Sequence, residues 1–201
     1  MSERNTPEVN AGSMADIAFL LLIFFLVTTT MDSDIGIYKR LPAKQITPPE
    51  ITLNEKNVLE ININANDEIL IEGDHVMKIE NLKQAVVDFI DNGAGTNNKG
   101  DKCTWCNGKK DVTSSDHPEK AMISFQSKRN ASYTTYISVQ NEILSAYAQL
   151  RNDLSQSLYN KSLSQLETEL KNNKGNKELS EKIQFIKAKY PQLITEQAPE
   201  K

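Results

Sequence analysis

The chain has 201 residues, with 23 Lys and Arg against 27 Asp and Glu and a formal net charge of -4. Its basic residues are scattered along the chain, which argues against the basic face that nucleic-acid binding requires. Two cysteines are too few for a disulfide scaffold, and much of the 38% hydrophobic content sits near the N-terminus, so the remainder has a small core.

Residues 1–8 form a short polar tail. Val9 to Thr30 follows, and from Ile17 to Val27 it carries no polar side chain. A helix rises about 1.5 Å per residue, so about 20 residues cross the roughly 30 Å hydrocarbon layer of a bilayer. The spacing therefore predicts a membrane-spanning helix over 9–30. Three features argue for an uncleaved anchor over a signal peptide. The preceding tail has one Arg against two Glu, Asp16 stands at the mouth of the apolar run, and Thr28-Thr29-Thr30-Met31-Asp32 offers no clear small-x-small cleavage site. The flanking charges, Arg4 on one side and Lys39, Arg40 and Lys44 diluted by Asp32 and Asp34 on the other, set no orientation by themselves.

Residues 31–50 read as an extended linker, because Pro42, Pro48 and Pro49 fix φ and disfavour helix in the residues before them. Gly36 to Pro42 could pair within it as an edge strand. The folded domain is expected over 51–201. Leu59, Ile61 and Ile63 alternate with Glu60 and Asn62, a half-buried strand. Asn64 to Asp67 is a turn cluster, Glu68 to Glu72 the returning strand, and Gly73-Asp74 its close. Asn81 offers an N-cap with Gln84 three residues on, and the helix runs to Ile90.

Residues 92–118, rich in Gly, Asn and Lys and holding Cys103-Thr-Trp-Cys106, read as a long exposed inserted loop. Ala121 to Ser127 is a strand. Ser132 caps a long amphipathic helix whose apolar stripe takes in Tyr133, Ile137, Leu144, Tyr147, Leu154 and Leu158, with Ile143 and Leu150 alongside. Tyr133, Tyr136 and Tyr147 are placed in its core. Residues 160–201 are a C-terminal extension. In it Glu167, Glu169, Lys171, Lys174 and Lys177 look like a solvated connection. A shorter helix follows through Leu179, Ile183, Ile186 and Tyr190, stopped by Pro191, with an edge strand in 192–199. The fold class is α+β, a sheet with helices on one face.

One N-terminal stretch resembles the transmembrane helix of the ExbD/TolR biopolymer transport family. It keeps Val9-Asn10, Asp16 six residues later, and the run Leu21-Leu22-Ile23-Phe24-Phe25-Leu26-Val27-Thr28. It departs from the family's Thr-Pro-Leu, which reads Gly12-Ser13-Met14 here. The remainder is similar to longer variants with an inserted loop and a C-terminal extension. The resemblance implies a single-pass protein of the bacterial inner membrane, N-terminus cytoplasmic and C-terminal domain periplasmic. Its implied partners are an ExbB-like multi-pass ring, a pentamer, around an ExbD-like self-dimer, a TonB- or TolA-like protein, and peptidoglycan. It implies no enzyme and no cofactor, with protons as the coupling ion.

A carboxylate in an apolar segment costs roughly 2.5–3.5 kcal/mol on insertion scales, so Asp16 is the first candidate site, as the proton carrier. Its plain counterpart is a structural carboxylate bonded to a partner helix. Asn10, Ser13, Thr28 and Thr29 are candidates for proton relay or partner contact, against hydroxyls that simply bond the helix backbone. For Cys103 and Cys106 a small local disulfide is the plain reading, beside metal or redox chemistry. His75 and His117 read as solvated, and a zinc site would need four ligands. Beside an energised transport subunit stand a TolR- or MotB-like stator subunit holding the cell wall, a non-conducting membrane-tethered adaptor, and a membrane-anchored thiol oxidoreductase.

Overall fold

The computed structural model describes residues 11–28, with side chains from 12 to 25, together with 54–73 and 75–197. The chain divides into two compact units, Met1–Pro49 and Glu50–Lys201. The tail 1–8, the linker 31–50 and the expected strand at Gly36 to Pro42 lie outside the described residues.

In the first unit the described part is one helix, α1 (Ala11–Thr28), of 18 residues. Its apolar side chains point outward all round, with Ile17, Phe19, Leu20, Leu22, Phe24 and Phe25 each about 60% exposed. An apolar helix without a polar face has no solvated side to turn to water. The side chains described, Gly12 to Phe25, cover about 21 Å of helix. Among the described residues no helix is long and apolar enough to cross a membrane.

The second unit is α+β. A 3₁₀ turn at Glu55–Asn57 leads into β1 (Val58–Ile63), followed by β2 (Ile69–Ile71), β3 (His75–Met77), α2 (Ile79–Ile90), β4 (Met122–Ser127), α3 (Tyr133–Tyr159), α4 (Leu163–Asn172), α5 (Lys177–Lys189) and β5 (Ile194–Glu196). The strands form one sheet in the order β3-β2-β1-β4-β5. β1, β2 and β3 are an antiparallel meander, while β4 lies parallel to β1 and β5 parallel to β4. Side chains alternate across a strand, so Leu59, Ile61 and Ile63 turn into the core while Glu60 is exposed. The parallel register sets Leu59 beside Ile123 and Ile61 beside Phe125, which joins the two central strands in one apolar layer.

The β1–β2 turn is set by Asn64. Its Oδ1 accepts from the amides of Asn66 and Glu68, both at 2.9 Å, and Asp67 takes a left-handed φ of 64°. β3 was not expected from the sequence. Gly73, at φ 93°, turns the chain rather than ending the sheet, and three more residues pair with β2. The helix α2 begins earlier than Asn81: its N-cap is Lys78, with no side-chain capping bond. Leu82, Val86 and Ile90 form its buried stripe, where truncating one Leu costs about 2–5 kcal/mol.

Ser132 does cap α3, its side chain accepting from the Thr135 amide. The buried stripe of α3 is Val139, Ile143, Ala146, Tyr147, Leu150 and Leu154, rotated from the expected one. Tyr133 is 76% exposed and Leu158 49%, so neither is core, whereas Tyr147 is fully buried. The charged stretch after it is not a bare connection. α4 starts in a complete capping box of Ser162 and Gln165 and buries Leu163 and Leu166. α5 is capped by Asn176 and buries Ile183 and Ile186.

Candidate functional site

Asp16 is the single titratable side chain of α1. It stands on the helix surface among Ile17, Phe19 and Leu20, and it has no hydrogen-bond or ion-pair partner among the described residues. Residues three and four apart share a helix face. By that rule Gly12 and Ser13 lie one turn before Asp16, and Phe19 and Leu20 one turn after. The carboxyl is thus flanked on one side by two small residues and on the other by two large apolar ones. Such a face lets another backbone come close beside the carboxyl. Phe24 and Phe25 pack edge to face further along, with ring centroids 5.8 Å apart. Ser13 shares the face of Asp16. Thr28 is the last residue of the helix, and its side chain lies outside the described residues, as do Asn10 and Thr29.

The second concentration of polar chemistry is in the segment between α2 and β4. It is much less exposed than its composition suggests. Asp91, Asn92, Asn97, Cys103, Cys106, Ser115 and His117 are all buried. Buried polar groups require partners, and here the side chains bond the backbone of the same segment. Asn92 donates to the carbonyls of Asp111 (2.8 Å) and Ser115 (2.7 Å) and accepts from the Asp111 amide (2.8 Å). Ser115 donates to the Phe89 carbonyl at the end of α2. Asn97 Oδ1 accepts from the amides of Lys99 and Asp101. Lys56 and Asn57 hold Asp116 at 2.7 and 3.2 Å. Burial pushes the Asp116 carboxyl up, but the bonds from Lys56 and Asn57 outweigh it and leave it below its ordinary value.

Cys103 and Cys106 are joined by a disulfide, with Cα atoms 5.6 Å apart. Gly93, at φ 63°, lies against it; a Cβ there would stand 2.7 Å from Cys106 Cβ. Among the described residues no group of three His, Cys, Asp or Glu side chains is placed to hold a metal ion. His75 is exposed on β3. His117, read from the sequence as solvated, is fully buried, its ring perpendicular to Trp105 at 5.4 Å. The Glu119 amide donates to His117 Nδ1 at 3.1 Å, which places the imidazole proton on Nε2. Burial holds the His117 pKa below its ordinary 6.5.

The C-terminal extension closes over this segment. The Tyr190 hydroxyl donates to Asp91 Oδ1 at 2.6 Å, the Asn107 amide donates to Asp91 Oδ2 at 2.9 Å, and Lys189 Nζ stands 3.8 Å from the Trp105 ring centroid. Burial raises the Asp91 carboxyl above its ordinary value despite those two bonds, and the nearby Asp153 and Asp88 charges add to it. Burial, with Asp91 opposite, also pushes the Tyr190 hydroxyl far up. Arg151 Nε and Nη2 donate to the Tyr190 carbonyl at 2.9 and 2.6 Å. None of these groups combines a nucleophile with a base. The network fastens an insertion and an extension to the sheet domain, and sequence reading missed it because the hydrogen bonds that Tyr190 makes join residues 39 and 99 positions apart.

Residues 2–151 match the family described as biopolymer transport protein ExbD/TolR. The match takes in α1 with Asp16, the meander, α2, the insertion, β4 and most of α3, and stops before α4. No curated protein matches the chain.

Proposed function

Since this chain belongs to the ExbD/TolR family of biopolymer transport membrane proteins, whose members are transport components and not enzymes, we propose that it is the ExbD-like subunit of a proton-driven motor. In this reading α1 sits in the bacterial inner membrane as a single pass, with the N-terminus cytoplasmic and the sheet domain periplasmic. Asp16 takes a proton on one side and releases it on the other. The observation that carries the reading is one carboxyl, with no described partner, as the single titratable group of a largely apolar 18-residue helix. Eighteen residues rise about 27 Å, close to the roughly 30 Å hydrocarbon layer.

A single helix encloses no pore, so the other wall must come from a partner. An ExbB-like multi-pass pentamer around a dimer of this chain supplies it, and small Gly12 and Ser13 beside Asp16 suit close approach of another helix. The carboxyl loses its hydration among apolar groups and changes charge as its surroundings change. The sheet domain then passes the motion to a TonB-like protein that energises outer-membrane transport. The same geometry serves a TolR- or MotB-like stator or a non-conducting tether. Proton-motive-force-dependent uptake in cells carrying Asp16→Asn separates a conducting subunit, which loses uptake, from a tether, which keeps it. Affinity purification of the full chain from membranes identifies the multi-pass partner.

A further inference from the structure

We propose that the α4–α5 hairpin is a docking groove for a short acidic peptide segment of a partner protein. The groove lies in residues 167–187, beyond the stretch that matches the family. It stands independently of the proton-carrying reading of Asp16.

The two helices are short and antiparallel neighbours, joined by a turn in which Gly175 takes φ 115°. Leu170 and Ile183 form an apolar floor between them, in a groove of about 770 Å³. Its rim carries Lys171, Lys174, Lys177 and Lys187 against one carboxylate, Glu167. Four positive and one negative charge give the groove +3, while the whole chain carries -4, which leaves -7 for everything else. A positive groove on an otherwise acidic molecule focuses anions at one place.

The lysines are also available. Lys187 is paired with Glu167 at 2.7 Å, but Lys171, Lys174 and Lys177 have no ion-pair partner among the described residues. Two other carboxylates of these helices are engaged elsewhere, Glu169 with Lys161 and Glu178 with Lys182, both at 2.6 Å. The three free lysines are exposed around the turn and the first residue of α5.

The shape selects the kind of anion. α4 has 10 residues and is about 15 Å long, which matches four or five residues of extended chain. A flat layer of phosphate headgroups meets the lysines but cannot reach a concave apolar floor. A peptide can do both, with carboxylates on the rim and one apolar side chain on Leu170 and Ile183. That mode is the recognition of acidic motifs by a basic cluster.

The test uses the full chain purified in a neutral detergent and a fluorescent peptide of sequence Asp-Glu-Leu-Asp-Glu, read by anisotropy. Saturable binding that weakens with salt is expected. Lys171→Glu with Lys174→Glu and Lys177→Glu should weaken it about tenfold or more. Lys78→Glu with Lys83→Glu, at the start of α2 and not lining the groove, should leave it unchanged. Leu170→Gln should weaken it without removing its salt dependence. No saturable binding, or binding indifferent to the triple charge reversal, overturns the proposal. So does binding of the chain to phosphatidylglycerol vesicles that the triple reversal abolishes while the peptide does not compete. Far-ultraviolet circular dichroism of each variant confirms that the helices are retained.

Discussion

The Tyr190 hydroxyl reaches back across 99 residues to donate a 2.6 Å hydrogen bond to Asp91. Tyr190 is the C-cap of α5 and Asp91 the C-cap of α2, so one bond ties the end of α5 in the extension to the end of α2, where the insertion begins. Tyr190→Phe leaves a buried carboxylate short of a donor, which costs about 1–3 kcal/mol. Urea unfolding of the sheet domain within the full chain should show that loss. An unchanged midpoint would mean the pair contributes nothing.

His117 predicts a pH dependence. Its folded pKa lies below the ordinary 6.5 because burial disfavours the imidazolium. The unfolded chain therefore takes up a proton first as pH falls, and stability falls from about pH 6.5 downward to the folded pKa. His117→Gln should flatten the urea midpoint between about pH 7.5 and 5.5 relative to the parent chain. An equal slope in both would assign the effect elsewhere.

The disulfide and its glycine make a third expectation. Closing so small a loop restricts the unfolded chain by roughly 2 kcal/mol in the chain-entropy treatment. Cys103→Ser with Cys106→Ser should destabilise by about that amount, and mass spectrometry of the natively folded protein should find no free thiol. Gly93→Ala places a methyl against Cys106 at a left-handed φ, so it should cost about 1–3 kcal/mol. Two free thiols in the native protein would contradict the pairing.

What sequence alone revealed follows locality. Leu59, Ile61 and Ile63 show their strand because alternation is a property of neighbours, and Ser132 shows the start of α3 because a cap acts over three residues. β3 escaped because three residues carry no period, and α4 because its charged face masked Leu163, Leu166 and Leu170 three and four apart. His117 was misjudged for a different reason. Its burial comes from Trp105 and from the folding of the insertion, and no residue beside it in sequence signals that. Asp16 was legible because a carboxyl in an apolar run is conspicuous at once, whereas Asp91 and Tyr190 look ordinary until the chain brings them together.

The proposed proton-carrying role of Asp16 is tested most directly by substitution in cells that depend on proton-motive-force-driven uptake. Asp16→Asn keeps the shape of the side chain and removes its titration, so uptake should fall to the level of a strain lacking the protein. Immunoblotting should show normal membrane levels and co-purification of the multi-pass partner should persist. Uptake that survives Asp16→Asn at normal protein levels would contradict the account and leave the chain a non-conducting tether.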